Sequence, residues 1–297
     1  MKNKKNILII VDGTNYLYRA YFAFKNFQNK KKEPIGAIYG TLIMLKKVFN
    51  KYMPNKIIIV FDHKTINFRK KIYKKYKANR PKIPQDLKVQ INQLIKIINY
   101  IGIPVIQIPG FEADDIIGTL VYKKNKKNIL ILTNDKDMMQ LINKNVKILN
   151  HHETIIGEKE VRKKFGISPK LIKDFLALVG DRSDNIPGIP GVGIKTAQIL
   201  LKNFHSLKEI YKNLDKLSLL NIRNAKKLPK IFLKNKKIAF ISKYLSTIQI
   251  RIRSPILNAS FKLKKPKKKK IFEYFKKNNF KSLKTSFKKS PWFNNLK

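Results

Sequence analysis

The chain has 297 residues, with 66 Lys+Arg against 18 Asp+Glu, a formal net charge of +48 and no cysteine. The length suits one large or two small domains with a buried core, and the missing thiols exclude disulfides and cysteine catalysis. A charge of this size implies attraction to a polyanion, although Asn, Lys and Ile dominate the whole chain, so part of it is compositional drift. The apolar run that follows the basic start stops at Asp12, too soon for a secretory signal. No stretch is long enough to span a bilayer, so a cytoplasmic protein without a membrane partner is the default.

Residues 6–12 read as a buried parallel strand, a β-branched run that ends in Asp-Gly. Helical spacing follows over 36–52 (Ile38, Leu42, Leu45, Phe49), then a second strand-then-Asp run over 56–62. Residues 86–101 carry Leu87, Ile91, Leu94, Ile95 and Ile98 on one helical face, with Asp86 in the first turn. A strand at 103–108, a helix at 112–124, a strand at 128–133, a short helix near 137–142 and a strand at 146–150 continue the alternation. This predicts an α/β fold, a mostly parallel sheet with flanking helices. Beyond about residue 165 the strand signal fades, and helices are expected at 169–179, 193–203, 206–213 and 234–246. The division is therefore a core over 1–165, a helical region over 166–260 and a lysine-rich end over 261–297. The KLKKPKKKK run in that end has the composition of a partly disordered segment.

Nine of the 18 acids fall in five short places, each beside an apolar run. Asp12 ends NILIIVD and Asp62 ends KIIIVFD. Glu112, Asp114 and Asp115 lie in GFEADD, Asp135 and Asp137 follow NILILTN, and Asp181 and Asp184 lie in VGDRSDN. A single Asp after a strand is more often a cap or turn residue than a ligand. The pairs are harder to dismiss. Asp135 and Asp137 share a side of an extended segment, Asp181 and Asp184 are neighbours on a helical turn, and Glu112 to Asp115 open a helix. In parallel sheets sites form beyond the carboxyl ends of the strands, and four segments deliver acids to that edge. So many carboxylates need neutralising, which hard divalent cations with oxygen ligands do; Mg²⁺ is the physiological choice and Mn²⁺ can substitute. Two such ions activate water and stabilise the leaving oxygen in phosphodiester hydrolysis. The four histidines show no zinc-like spacing.

Residues 63–85 hold nine Lys/Arg and no acid, with Phe68, Tyr73 and Tyr76 between them. A solvated amphipathic helix is the plain reading. The functional one is a strand-gripping element, with cations on phosphates and aromatic faces on bases. Arg69 and Arg80 stand out, because arginine is scarce here and binds phosphate bidentately. Further on, PGIPGVGIKTAQILL opens a helix after a glycine turn. Gly191 and Gly193 allow close backbone approach, and the free N–H groups near Lys195 and Thr196 can bind phosphate. This is a helix-hairpin-helix pattern, not a nucleotide P-loop.

Taken together, VDGTNYLYRAYFAF, VFDHKTINFR, YKANRP, GFEADDIIGTL, NDKDMMQL and DFLALVGDRSDNIPGIPGVGIKTA resemble, in this order, the 5′-nuclease domain of bacterial DNA polymerase I and the wider flap endonuclease family. The resemblance covers roughly residues 6–250. It implies a PIN-like, resolvase-like nuclease core and a helix-three-turn-helix region that holds duplex and can bind K⁺. It also implies two or more divalent ions on Asp12, Asp62, Glu112, Asp114, Asp115, Asp135, Asp137, Asp181 and Asp184. A helical arch over about 63–85 would thread or clamp single-stranded 5′ ends, and Arg19, Tyr76, Lys77 and Arg80 match DNA-contacting positions. Asn134 stands where relatives usually have Gly, and Arg182 where they have a small residue. The implied activity is 5′–3′ exonuclease and 5′-flap endonuclease cleavage of DNA with flaps, nicks or RNA primers, in primer removal and repair. The implied protein is a free-standing, nucleoid-associated monomer that can cooperate with a separate DNA polymerase. The alternatives are a PIN-like ribonuclease, which needs neither hairpin nor arch, and a DNA-binding protein without catalysis, which predicts missing acids.

Overall fold

The computed structural model describes residues 7–124, 127–259 and 261–294. Asn6, assigned above to the first strand, and the outermost residues 1–5 and 295–297 of the two end segments lie outside the described residues. The chain runs β1 (Ile7–Asp12), α1 (Gly13–Ala23), α2 (Gly36–Tyr52), β2 (Lys56–Val60), α3 (Phe68–Ile72), α4 (Gln85–Ile101), β3 (Val105–Ile106), α5 (Ala113–Lys123), β4 (Asn128–Leu132), β5 (Val146–Leu149) and β6 (Ile155–Ile156). The strands form one sheet in the order β3-β2-β1-β4-β5-β6. Every pairing is parallel except that of β5 with β6.

Burial on both faces explains why the strands read as unbroken apolar runs rather than alternating ones. Leu8 and Ile10 of β1, with Ile58, Ile129 and Ile131, pack on the side of α5. Ile9 and Val11, with Ile57, Ile59, Leu130 and Leu132, pack on the side of α1, α2 and α4. All these side chains are buried. The chain builds outward from β1 through β2 to β3, then returns to the other side of β1 with β4. That reversal opens a crevice between the carboxyl ends of β1 and β4, where ligands of open parallel sheets bind.

The helical region continues on the α5 side with α6 (Glu158–Phe165), α7 (Ile172–Val179), α8 (Ile194–Phe204), α9 (Leu207–Lys212), α10 (Leu228–Lys234) and α11 (Lys236–Ser246). Their apolar faces, including Phe175, Leu200 and Phe232, join the same core as α5. The single helix expected over 234–246 starts at Lys236, and Asn235 separates it from α10.

The lysine-rich end differs from the sequence expectation of partial disorder. Over 268–294 it forms α12 (Lys268–Lys277), α13 (Lys281–Lys289) and α14 (Pro291–Asn294). The composition count missed a repeating apolar stripe: Ile271, Phe275, Phe280, Leu283, Phe287 and Phe293 are all buried against the α2–α4 face. The chain docks by backbone as well. The amide of Lys264 donates to the Gly102 carbonyl at 2.9 Å and that of Lys267 to the Tyr100 carbonyl at 2.8 Å. Gly102 ends α4 at φ +94°, and a Cβ there would lie 2.1 Å from the Lys264 carbonyl oxygen. Only glycine fits that crossing.

Candidate active site

The carboxylates at the strand ends are held by local rules before they meet each other. Asp12 caps α1, accepting the Asn15 amide at 2.9 Å, and its other oxygen takes the Thr133 hydroxyl at 2.8 Å across the β1–β4 crevice. Burial pushes the Asp12 carboxyl up to about 7. Asp62 follows β2 and accepts the Ala113 amide at 2.7 Å, tying the β2 loop to the first turn of α5. Asp135 accepts the Asp137 amide at 2.9 Å. Asp137 opens a short 3-10 turn over 137–141 rather than continuing an extended run. Burial and the charge of Asp135 hold the carboxyls of Asp137 and Asp114 well above the usual carboxylate range.

Asp181 and Asp184 sit on a tight loop, not on the helical turn that their spacing suggested. The amide of Asp181 donates to the Ile186 carbonyl and that of Ile186 to the Asp181 carbonyl, each at 2.8 Å. Asp181 accepts the Ser183 amide and hydroxyl at 2.8 and 2.7 Å, and Lys136 lies 3.0 Å away. Burial raises its carboxyl, but Ser183 and Lys136 outweigh burial and hold it below its usual value. Lys136, between the two acids of NDKD, was missed by the sequence reading, although its place in that string was a signal.

The segment after β2 closes over this edge. The expected helical arch is only the five-residue α3 followed by turns, because Lys77 takes a left-handed backbone at φ 52° and Pro81 and Pro84 follow. Its side chains turn inward. Lys77 Nζ lies 2.5 Å from Glu112 Oε1 and 3.5 Å from Asp184, and the half-exposed Arg80 lies 2.5 Å from Asp184. The Tyr76 hydroxyl is 3.0 Å from Glu112 and 3.2 Å from Asp184. Burial raises the Glu112 carboxyl, but Lys77 and Arg69 outweigh it and hold the group below its usual value.

Three side chains that the sequence reading assigned to the site are buried in this arrangement: Arg69, Asp115 and Tyr76. Arg69 is 2% exposed and cannot reach a DNA phosphate in this arrangement. Its guanidinium grips both oxygens of Asp115 at 2.7 Å, touches Glu112 at 3.0 Å, and donates to the Leu245 and Thr247 carbonyls at 2.9 and 2.8 Å. Asp115 is fully buried and also accepts the Gln249 amide at 2.8 Å. Both of its oxygens are engaged in these contacts, behind the acid edge. Tyr76, 3% exposed, likewise lies beneath the edge rather than on a DNA-facing surface.

Among the described residues no three carboxylates stand close enough to hold one ion as they are placed; Lys77, Arg80 and Lys136 lie among them. The donor set nevertheless fits a hard divalent cation. All the candidate ligands are carboxylate oxygens, and Asp137 Oδ1 is buried without a hydrogen-bond partner, which a native fold rarely leaves without a reason.

Arg19 is exposed on α1, reaches the His151 carbonyl at 3.4 Å, and lines a cleft of about 480 Å³ with Lys47 and Lys51. Asn134 accepts the His151 amide at 2.8 Å, binding the β4 end to the β5–β6 loop. Arg182 is exposed, and its carbonyl accepts from Asn79. In the glycine hairpin, Gly191 has φ +80° and a built Cβ there would touch Ile231 at 4.0 Å, whereas Gly193 is extended with nothing within 4 Å of a built Cβ. The left-handed backbone that favours glycine is therefore present at Gly191 and absent at Gly193. Gly188 is constrained by packing as well, at φ +67° with a built Cβ only 2.4 Å from the Gly180 nitrogen. Lys195 is exposed and Thr196 half-buried on the first turn of α8.

A two-sided parallel sheet with acids along its carboxyl edge, joined to a helical unit with a glycine hairpin, is the architecture of a nuclease. Residues 7–166 match the 5′-3′ exonuclease N-terminal resolvase-like domain, and residues 167–269 match the 5′-3′ exonuclease C-terminal SAM fold. The 5′-3′ exonuclease of Buchnera aphidicola subsp. Baizongia pistaciae is 46% identical over 298 residues, covering 99% of both chains. DNA polymerase I of Pseudomonas aeruginosa is 42% identical over 249 residues, covering 82% of this chain and 27% of that protein. Two solved structures share the fold. T5 5′-exonuclease with zinc bound is 20% identical with a TM-score of 0.65, covering 82% of this chain and 90% of that one. The catalytic core of Rad2 with DNA substrate is 17% identical with a TM-score of 0.65, covering 99% and 92%. The chain belongs to the 5′–3′ exonuclease family.

Proposed function

We propose that this chain is a structure-specific 5′–3′ exonuclease and 5′-flap endonuclease that hydrolyses DNA phosphodiester bonds at flaps, nicks and RNA primers, in primer removal and repair. Asp12, Asp62, Glu112, Asp114, Asp135, Asp137, Asp181 and Asp184 would hold divalent cations, Mg²⁺ first and Mn²⁺ as a substitute. Bound there, the ions would lower the pKa of the attacking water and stabilise the leaving oxygen. Lys77 and Arg80 supply donors directly above the same edge, positioned to pass from carboxylate to substrate phosphate. The exposed first turn of α8, with Gly191, Gly193, Lys195 and Thr196, holds duplex backbone through its free amides, with K⁺ able to bind at the hairpin. The enzyme works as a monomer near the nucleoid, alongside a separate polymerase.

The observation that carries this reading is the pairing of the acid edge with Lys77 and Arg80 from the segment after β2. A ribonuclease of PIN type would need the acids alone. The test is Mg²⁺-dependent cleavage of a 5′-flap duplex beside plain single-stranded RNA. Short products released from the 5′ end of the flap substrate support the proposal, and preferential RNA cleavage or equal digestion from 3′ ends overturns it.

A further inference from the structure

Lys136 stands in the chain between two of the candidate ligands, Asp135 and Asp137. Its backbone is pinned on both sides. The Asp135 amide donates to the Thr133 hydroxyl at 3.0 Å and the Asp137 amide to Asp135 at 2.9 Å. The Lys136 carbonyl accepts the Met139 amide at 3.0 Å, and Met138 and Met139 are buried beneath the turn. The Lys136 side chain can move, but the residue itself cannot.

That side chain crosses from the unit matched over residues 7–166 to the one matched over residues 167–269. Its ammonium lies 3.0 Å from Asp181 Oδ2. Asp181 Oδ1 is already taken by the amide and hydroxyl of Ser183, at 2.8 and 2.7 Å. Oδ2 is therefore the oxygen left for a cation, and the ammonium covers it. The Asp181 side chain is 2% exposed and that of Lys136 41%, so the ammonium sits on the solvent side of the carboxylate. Burial opposes its charge, but Asp181, Asp137 and Asp135 outweigh burial and hold it protonated. Lys77 and Arg80 differ in origin. They come from the segment after β2 and pair with Glu112 and Asp184, whereas Lys136 belongs to the acid-bearing loop itself.

We propose that Lys136 is a positioning residue for the cation site: its ammonium holds the place on Asp181 Oδ2 that a divalent cation shared with Asp137 would take, so that cation binding there must displace it. The proposal rests on the nuclease reading, which supplies the cation. A dication and an ammonium on one oxygen repel each other, so the two exchange rather than coexist. A lysine suits the exchange, because its ammonium is strongly hydrated and rides on a flexible stem. It can swing into solvent without disturbing the loop. When the cation leaves, its return spares Asp181 from standing as a buried charge without a counter-ion. The cost is a lower affinity for the cation.

The test is Mn²⁺ binding by titration calorimetry to the whole chain, stripped with EDTA and without DNA, at fixed pH and salt. Wild type is compared with Lys136→Gln, with Lys136→Arg, and with Lys144→Gln, an exposed lysine before β5 that controls for the loss of one positive charge. Lys136→Gln should bind Mn²⁺ about 10-fold more tightly than wild type, the worth of one charge-assisted contact removed from the competition. Lys136→Arg keeps the competing charge and should stay near wild type, as should Lys144→Gln. After EDTA treatment Lys136→Gln should melt below wild type, and Mn²⁺ should raise its melting temperature by more. In an Asp181→Asn background the Lys136→Gln change should tighten nothing, because the charge for which the ammonium competes is gone. Unchanged or weaker Mn²⁺ binding in Lys136→Gln overturns the proposal; weaker binding would mark Lys136 as a clamp that shapes Asp181. An equal gain in Lys136→Arg or Lys144→Gln, or a gain that persists without the Asp181 carboxylate, overturns it too. Wild type that binds no Mn²⁺ defeats the cation site of the proposed function, whereas wild-type binding that Lys136→Gln leaves unchanged defeats only this inference.

Discussion

Arg69 holds Asp115 by two hydrogen bonds of 2.7 Å, both groups essentially out of solvent, and thereby ties the segment after β2 to the start of α5 and to the end of α11. Removing one partner of a buried ion pair leaves the other uncompensated. Arg69→Ala should destabilise the fold by about 3–5 kcal/mol, read by urea unfolding. A loss below about 1 kcal/mol, the range of an exposed pair, would show that the pair contributes little.

Asp137 Oδ1 is buried without a hydrogen-bond partner. Asp137→Asn should abolish metal-dependent cleavage while DNA binding in EDTA stays near wild type, and Asp135→Asn should behave alike. Turnover near wild type in Mg²⁺ for either variant would remove that residue from the cation site. Asp115→Asn should instead lower the melting temperature, since its oxygens are committed to Arg69 and the Gln249 amide.

Stability without metal should depend on pH in a definite direction. The Asp12 carboxyl rises from the usual 3.8 to about 7 in the folded chain. The folded state therefore keeps a proton that the unfolded chain releases. That contribution is complete below about 4 and is lost as pH rises through about 7. Asp114 and Asp137, raised in the same sense, add to it. Mg²⁺ replaces protons, so its stabilising effect should be larger at pH 8 than at pH 5. Melting curves with and without Mg²⁺ at the two values check this, and a metal effect independent of pH would contradict it.

Gly188 and Gly193 should separate folding from binding. Gly188→Ala places a Cβ against the Gly180 backbone and should lower stability markedly. Gly193→Ala meets open space at an ordinary extended backbone, so it should melt like wild type. It should still weaken duplex binding, because the added methyl blocks phosphate approach to the α8 amides. Normal duplex affinity in Gly193→Ala would leave the hairpin as a turn only.

Much of the core was legible in the chain itself. Strands buried on both faces must be continuous apolar runs, so β1, β2 and β4 stood out and their terminal acids were placed on one edge by parallel topology alone. Asp12, Asp62 and Asp135 needed nothing more. The orientation of Arg69, Tyr76 and Lys77 was a different matter. A basic, aromatic segment reads the same whether its side chains face solvent or fold back, and only the proximity of Glu112, Asp115 and Asp184, which lie 35 to 108 residues away in the chain, turned these inward. Composition likewise marked residues 261–297 as a lysine-rich, partly disordered end, because charge counting ignores phase. The phenylalanines of α12 to α14 are spaced to meet α2 and α4, a surface that exists only once the sheet has formed. Local periodicity and topology thus determined the edge where the acids gather. Long-range packing, which no local pattern records, decided which of the neighbouring charges neutralise it and which remain free to meet a substrate.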